Sequence, residues 1–199
     1  MSDFNLGKNY FTSEGLKGYN RKTVYDYCLK DKEAVAVEVG VREGRNAKHL
    51  FSYDPKHLYL VDPWEPYRQI PSEREHERSY EMVREYFYDN DLVTVIRNKS
   101  TEASQLFPDN SLDFVYIDGD HQYEPVKADL EAWIQKIKVG QFLAGDDYHK
   151  GPDNQNWGVI EAVDEFIDDH DVEIVYFDEL KTFPLSAQTS ADWCLRRLS

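Results

Sequence analysis

The chain has 199 residues, with 38 Asp and Glu against 23 Lys and Arg and a formal net charge of −15. That length suits one domain around a single core, and the acidity disfavours a polyanionic partner, because nucleic-acid affinity comes mainly from basic residues that neutralise phosphates. Small-molecule ligands are therefore expected, with no nucleic-acid partner. No apolar run is long enough to span a bilayer, and the first residues lack the basic flank and apolar stretch of a signal peptide. The two cysteines, Cys28 and Cys194, have no metal-ligand spacing and read as reduced thiols. The expectation is a cytoplasmic protein with no membrane partner; homo-oligomerisation is left open.

Residues 1–19 are polar and aromatic, an irregular lead-in or a cap over a site, and 20–30 read as a short helix with Val24, Tyr25 and Cys28 on one face. From Glu33 onward, apolar runs of strand length alternate with helical patterns. Strands are expected at 34–39, 57–62, 92–97, 112–118, 140–145, 172–178 and 191–197, and helices at 43–52, 73–89, 100–107, 123–138 and 157–169. This alternation predicts an α/β fold, a doubly wound, mostly parallel seven-stranded sheet. The last two strands have no helix between them and should pair antiparallel at one edge. One domain over 1–199 is expected, with 1–30 as an N-terminal cap and helix and 31–199 as the core. The run Ser72 to Arg78 is charged with mixed signs and reads as a solvated helix face.

Two acidic clusters stand just past predicted strands: Asp118-Gly119-Asp120-His121 and Asp146-Asp147. Crowded carboxylates raise one another's pKa unless a cation or proton compensates, which points to a bound metal; the alternative for Asp146-Asp147 is a helix cap or a solvated turn. If the strands are parallel neighbours, both clusters emerge at the carboxyl edge of the sheet, where open α/β folds bind ligands. The first strand ends in Glu38-Val39-Gly40-Val41-Arg42-Glu43-Gly44 and runs into a helix. Glycines at 40 and 44 let the backbone turn and approach a ligand, or make an ordinary strand-to-helix turn. The spacing is not the dinucleotide fingerprint, which would need glycine where Arg42 and Arg45 stand. Asp62, in Val61-Asp62-Pro63-Trp64, stands where an acid can hold ribose hydroxyls or start a turn before Pro63. Trp64 either covers an adenine or packs under the loop.

These four motifs, in order and over roughly Val35 to Arg197, resemble class I S-adenosylmethionine-dependent methyltransferases. More narrowly, they resemble the small metal-dependent O-methyltransferases of the catechol and the macrolide- or aminocoumarin-sugar types. The resemblance implies a Rossmann-like fold, S-adenosylmethionine as cofactor, Mg²⁺ or another divalent cation, and transfer of a methyl group to a hydroxyl of a small sugar or phenolic acceptor. It implies that Glu38, Gly40 and Gly44 surround the amino-acid end of the cofactor and that Asp62 holds the ribose. Ser100 and Glu102 would lie near the adenine, and Trp64, where it covers the adenine, and Asp118 complete the candidate cofactor contacts. Asn46 stands where many relatives carry serine. Metal ligands carry over to Asp118, Asp146 and Asp147, hard oxygen donors that suit Mg²⁺. The base carries over to His121, with Asp120 as its rival; an imidazole is poised near neutral pH, whereas a carboxylate beside a cation is a weak base. The acceptor pocket is expected from the lead-in, Pro63 to Ile70 and Tyr148 to Trp157, with Tyr67, Tyr123, Tyr148 and Trp157 able to stack on a ring. Two rival readings stand beside this one. Asp118-Gly119-Asp120 could serve a metal-dependent nucleotide-sugar glycosyltransferase, and the fold could be a non-catalytic cofactor-binding module.

Overall fold

The structure is a computed structural model that describes residues 21–67, 72–149, 157–177 and 192–199. Elements follow in the order α1 (Arg21–Cys28), β1 (Val35–Val39), α2 (Arg45–Phe51), β2 (His57–Asp62), α3 (Glu73–Tyr86), β3 (Val93–Arg97), α4 (Ser100–Ser104), β4 (Leu112–Ile117), α5 (Tyr123–Ile134), β5 (Ile137–Gly145), α6 (Val159–Asp169), β6 (Val172–Phe177) and β7 (Trp193–Arg197). The strands form one seven-stranded sheet in the order β3-β2-β1-β4-β5-β7-β6. Five neighbouring strands run parallel, and β7 is antiparallel to both β5 and β6, one position in from the edge. The order reverses between β1 and β4, the switch point where such sheets open a ligand crevice. The β6–β7 connection, the N-terminal lead-in and most of the expected acceptor loops lie outside the described residues.

Strand alternation sends successive side chains to opposite faces, and the core divides accordingly. Ala36, Leu58, Leu60, Phe114, Tyr116, Ala144 and Cys194 pack with Val24, Tyr25, Cys28, Ala47, Leu50 and Val83 of α1, α2 and α3. Val37, Val39, Val61, Val115, Ile117, Leu143, Trp193 and Leu195 pack with Ala103, Leu130, Trp133, Val163 and Phe166 of α4, α5 and α6. The same alternation puts Glu38, Tyr116, Asp118, Asp146 and Asp192 in phase with the α1 face. Ser72 caps α3 by accepting from the Glu75 amide, and the mixed charges that follow are largely exposed. Cys28 and Cys194 are free thiols in the core, with their sulfurs 3.6 Å apart.

Helices α3 and α4 each end three residues before expectation, and the largest difference is at the end of α5. The apolar spacing Leu130, Trp133, Ile134, Ile137 reads as helix through 138, yet α5 stops at Ile134 and β5 starts at Ile137. Ile137 is fully buried opposite Leu112, while Phe114 pairs with Phe142. Three extra residues of β5 therefore bulge out, turned by Gly140 at φ +84°. No helix among the described residues is long and apolar enough to cross a membrane.

Candidate active site

A cavity of about 790 Å³ opens at the carboxyl edge of the sheet between β1, β2 and β4. Its floor is the turn after β1. Gly40 sits at φ +86°, and a Cβ there would lie 2.0 Å from the Asp118 carbonyl oxygen, so this crossing of two strand ends admits only glycine. Gly44, at φ +75°, caps α2 without a side-chain bond. Glu38 is completely buried, and among the described residues neither of its carboxylate oxygens makes a hydrogen bond of ordinary geometry; the same holds for the neighbouring Asn46 Nδ2, whose Oδ1 accepts from the Tyr25 hydroxyl at 2.8 Å. Burial pushes the Glu38 carboxyl up to about 8, with neighbouring Asn46 and Arg21 pulling it down. Both residues line the cavity. A buried carboxylate and a buried amide that meet each other only in poor geometry are costly, and between them they offer acceptors and a donor to a ligand with an ammonium and a carboxylate on one carbon.

Asp62 also lines the cavity, but most of its capacity is spent on the loop. Oδ2 accepts from the Val41 and Arg42 amides at 3.0 and 2.9 Å, and Oδ1 from the Trp64 amide at 2.6 Å. Of about four acceptor positions on a carboxylate, one remains on Oδ1 for a ligand hydroxyl. Burial raises its pKa, and the three amides oppose that shift. Trp64 does not line the cavity. It is 1% exposed, its backbone is at φ +46°, its Nε1 donates to the Arg42 carbonyl at 2.9 Å and its ring packs on Tyr80. Of the adenine-end candidates, Ser100 is on the cavity wall, with Oγ accepting from Trp133 Nε1 at 2.8 Å, whereas Glu102 is exposed on α4 away from it. Asp129 of α5 joins Ser100 on that wall; it is 7% exposed, and burial lifts its carboxyl to about 6 against a hydrogen bond from Ser100.

At the other end of the cavity the acidic clusters do converge, though not as one set. Asp118, His121 and Asp147 place one donor atom each within 4.8 Å of one another. His121 Nε2 lies 2.7 Å from Asp147 Oδ2, and His149 Nε2 lies 3.0 Å from Asp147 Oδ1. Burial would raise the Asp147 carboxyl, but the two imidazoles bring it down to about 2. Both imidazoles stack on Trp157, with ring centroids at 4.1 and 4.8 Å. Asp147 itself is at φ +62°, which aims it away from Asp146. Asp146 is ion-paired to Arg21 of α1. The same guanidinium lies 3.6 Å from Asp118 and 3.4 Å from the fully buried Asp192, and 5.0 Å over the Tyr116 ring. Asp120 turns back to accept from the Gln122 amide at 2.8 Å, at the mouth of the cavity. Burial and the nearby Asp146 hold the Asp118 carboxyl well above the usual range, against the pull of Arg21.

A divalent cation, which the resemblance implies, fits the donors at this end. Two carboxylates and an imidazole converge, and among the described residues the carboxylates of Asp118, Asp146 and Asp192 surround the Arg21 guanidinium while that of Asp147 meets His121. The expected stacking residues divide. Trp157 and Tyr67 line the cavity, Tyr148 bonds Asp164 at 2.5 Å, and Tyr123 bonds Glu165 on the α5–α6 side. Sequence reasoning passed over Arg21, Asp129 and Asp192, and took His149 only as part of the acceptor loop. Asp129 left a signal, an acid inside the buried Val126, Leu130, Trp133 stripe of α5; Arg21 and Asp192 left none, being 171 positions apart.

The profile of a methyltransferase domain family matches residues 37–148, from β1 through the acidic pair after β5. Solved structures show the same fold. A proposed rRNA methylase of Clostridium thermocellum superposes with a TM-score of 0.69 at 14% identity, covering 92% of this chain and 98% of that one. A proposed methyltransferase of Streptococcus mutans, solved with SAH, gives 0.63 at 14% identity over 92% and 99%. A SAM-dependent O-methyltransferase of Thermotoga maritima gives 0.61 at 10% identity over 89% and 64%. Among curated sequences, an uncharacterized protein of Acanthamoeba polyphaga mimivirus is 27% identical over 96 residues, which are 47% of this chain and 38% of that protein. With more than half of its length inside the family profile and the class I sheet built around the matched motifs, the chain belongs to the methyltransferase domain family.

Proposed function

We propose that the protein transfers a methyl group from S-adenosylmethionine to a hydroxyl of a small sugar or phenolic molecule, with a divalent cation at the acidic edge. The observation that carries this reading is the poorly matched pair at the cavity floor: the buried Glu38 carboxylate and the buried Asn46 amide, beside the Gly40 crossing. An amino-acid end satisfies both, with Glu38 taking the ammonium and Asn46 Nδ2 the carboxylate. Asp62 has one acceptor position for the ribose, and Ser100 with Asp129 forms the wall beyond it. The cofactor supplies an electrophilic methyl group, and the cation lowers the pKa of the acceptor hydroxyl.

The protein's own part is placement and proton handling. Asp118 and Asp147 are the carboxylates proposed to share the cation, since Mg²⁺ is usually held by one or two carboxylates and keeps further positions for water and substrate oxygens. His121 is the proposed base. Asp147 fixes its ring through Nε2, and stacking on Trp157 fixes the plane, so Nδ1 is left to take the hydroxyl proton. Holding donor and acceptor collinear in a walled cavity supplies much of the rate. The net charge of −15 and the acids at the cavity mouth support a small acceptor over RNA, although some structural neighbours are named rRNA methylases.

Calorimetric titration with S-adenosylmethionine and S-adenosylhomocysteine, with and without Mg²⁺, tests the core of this reading. Micromolar binding, about −8 kcal/mol, that weakens in Glu38→Gln is expected; no heat under any metal condition overturns it. A methyl-transfer screen over sugar and phenolic hydroxyls against ribosomal RNA fragments tests the acceptor, and labelling of RNA alone would reverse that part.

A further inference from the structure

We propose that Arg21 is a positioning residue that holds Asp146 out of the cation site, so that the ion is held by Asp118 and Asp147 and its affinity is limited by a built-in positive charge. This rests on the cation reading given above and goes beyond it by assigning the two acids of the Asp146-Asp147 pair to different tasks.

The pair is adjacent in sequence but split in space. Asp147, at φ +62°, turns to His121 and His149. Asp146 keeps the phase of Ala144 in β5, toward the α1 face, where it meets the Arg21 guanidinium. Its own Oδ1 accepts the Asp147 amide at 2.8 Å, which fixes the turn between the two acids. Arg21 is anchored from three sides. Its Nε faces Asp192 at 3.4 Å, its fork lies over the Tyr116 ring, and Tyr116 in turn donates to Asp192, which has no exposed surface. A planar guanidinium holds its five donors in a fixed fork and so engages several carboxylates in set directions, where an ammonium offers three rotatable donors. The side chain is only 20% exposed and Asp146 only 11%, so solvent screens their attraction weakly. The same guanidinium stands 3.6 Å from Asp118 Oδ2. It therefore competes with any cation for that oxygen, while its pairing with Asp146 cancels one of the charges that would otherwise draw the cation in.

Two opposite signs follow. Removing Arg21 takes away a repelling charge 3.6 Å from Asp118 and the ion pair that draws Asp146 aside, so the ion should bind more tightly. Removing Asp146 leaves Arg21 facing Asp118 without its main partner, so the ion should bind more weakly. Removing both restores the local charge, and affinity should return toward the starting value. A residue that served only to hold the fold would lower affinity in every variant. If Asp146 were itself a ligand, the double variant would regain only the relief from the Arg21 charge and stay well below wild type.

The test is Mn²⁺ binding to the intact protein, read by electron paramagnetic resonance and calorimetry, for wild type, Arg21→Gln, Asp146→Asn and the double variant, with thermal melts to confirm folding. The expected result is at least about tenfold tighter binding in Arg21→Gln, weaker binding in Asp146→Asn by a similar factor, and a double variant within about threefold of wild type, the size expected for one partly buried unit charge a few ångström away. Arg21→Lys, which keeps the positive charge, should stay closer to the wild-type Mn²⁺ affinity than Arg21→Gln does. Unchanged or weaker Mn²⁺ binding in folded Arg21→Gln, or a double variant well below wild type, overturns the proposal. Absence of Mn²⁺ binding in wild type, with S-adenosylmethionine binding intact in chelator, removes the cation reading itself. Binding that then appears in Arg21→Gln would still support the exclusion by Arg21, and its failure to appear would remove both.

Discussion

At the β1–β2 end of the cavity, the floor comes from one stretch of chain, Glu38 to Asp62, and the backbone does most of the holding: two glycines at positive φ, and one carboxylate that gathers three amides. At the β4–β5–β7 end, four carboxylates arrive from three strand ends, and a side chain from α1 and two imidazoles hold them in place. The first plan fixes a shape into which one ligand fits. The second fixes a balance of charge, which a single substitution can tip either way.

The sharpest break in this comparison is Gly40→Ala. The new methyl would sit 2.0 Å from the Asp118 carbonyl oxygen and 2.4 Å from its carbon, at a φ that disfavours any Cβ. Both obstacles are backbone, so nothing small can give way, and a loss of more than about 4 kcal/mol is expected, with the two ends of the cavity pushed apart. Thermal melting and S-adenosylmethionine titration check it; a folded variant with wild-type binding would show that the crossing tolerates far more than its geometry allows. Next in size is Asp62→Asn, which puts an amide donor against one or more of the Val41, Arg42 and Trp64 amides. Loss of charged hydrogen bonds at about 1.5–3 kcal/mol each predicts a destabilised loop and cofactor affinity down at least tenfold, measured by denaturant unfolding and calorimetry.

Glu38→Gln separates binding from folding. Burial raises the folded-state pKa to about 8 from 4.5, so between those values the folded protein holds a proton that the unfolded chain has lost. Stability from this group therefore falls as pH climbs from 4.5 to 8, by up to about 5 kcal/mol in all. The Gln variant should lose that slope, becoming more stable than wild type at pH 9 and about equal at pH 5, as read from urea midpoints across pH. Pairing with an ammonium needs the ionised carboxylate, so cofactor binding near pH 7 should release close to one proton. Calorimetry in buffers of different ionisation heat measures this release, and binding without it would remove Glu38 from the ammonium site.

The same contrast explains what could be read ahead of the structure. The β1 turn and Asp62 were legible because their chemistry is local: Gly40, Gly44 and the acid after β2 announce themselves by spacing along alternating strands and helices. The acidic edge was legible as a set of strand-end carboxylates, but not in its wiring. Which acid of Asp146-Asp147 faces which partner depends on the sign of φ at Asp147 and on an arginine 125 positions away, and neither is written in the pair itself. Glu102 and Trp64 illustrate the limit from the other side. Each stands at the right position along the chain, yet the short α4 turns Glu102 outward, and the positive φ at Trp64 turns its indole into the packing against Tyr80. The end of α5 was misread because Ile137 continues a helical spacing while in fact starting a strand.

Trp64→Phe carries the smallest expected effect and tests whether the loop after β2 belongs to the rigid plan or to the ligand. The indole is buried beneath the loop, and its one polar atom donates to the Arg42 carbonyl. Phenylalanine keeps most of the ring packing on Tyr80 but leaves that carbonyl without its donor, a loss of about 1 kcal/mol. Arg42 lines the cavity and its amide is held by Asp62, so slack at its carbonyl is limited by the Asp62 carboxylate, which still grips three amides. A small fall in melting temperature with cofactor affinity within about twofold of wild type is therefore expected. A loss of tenfold or more in affinity at unchanged stability would mean that Trp64 meets the adenine directly, and that the β1–β2 end rearranges on binding instead of waiting preformed.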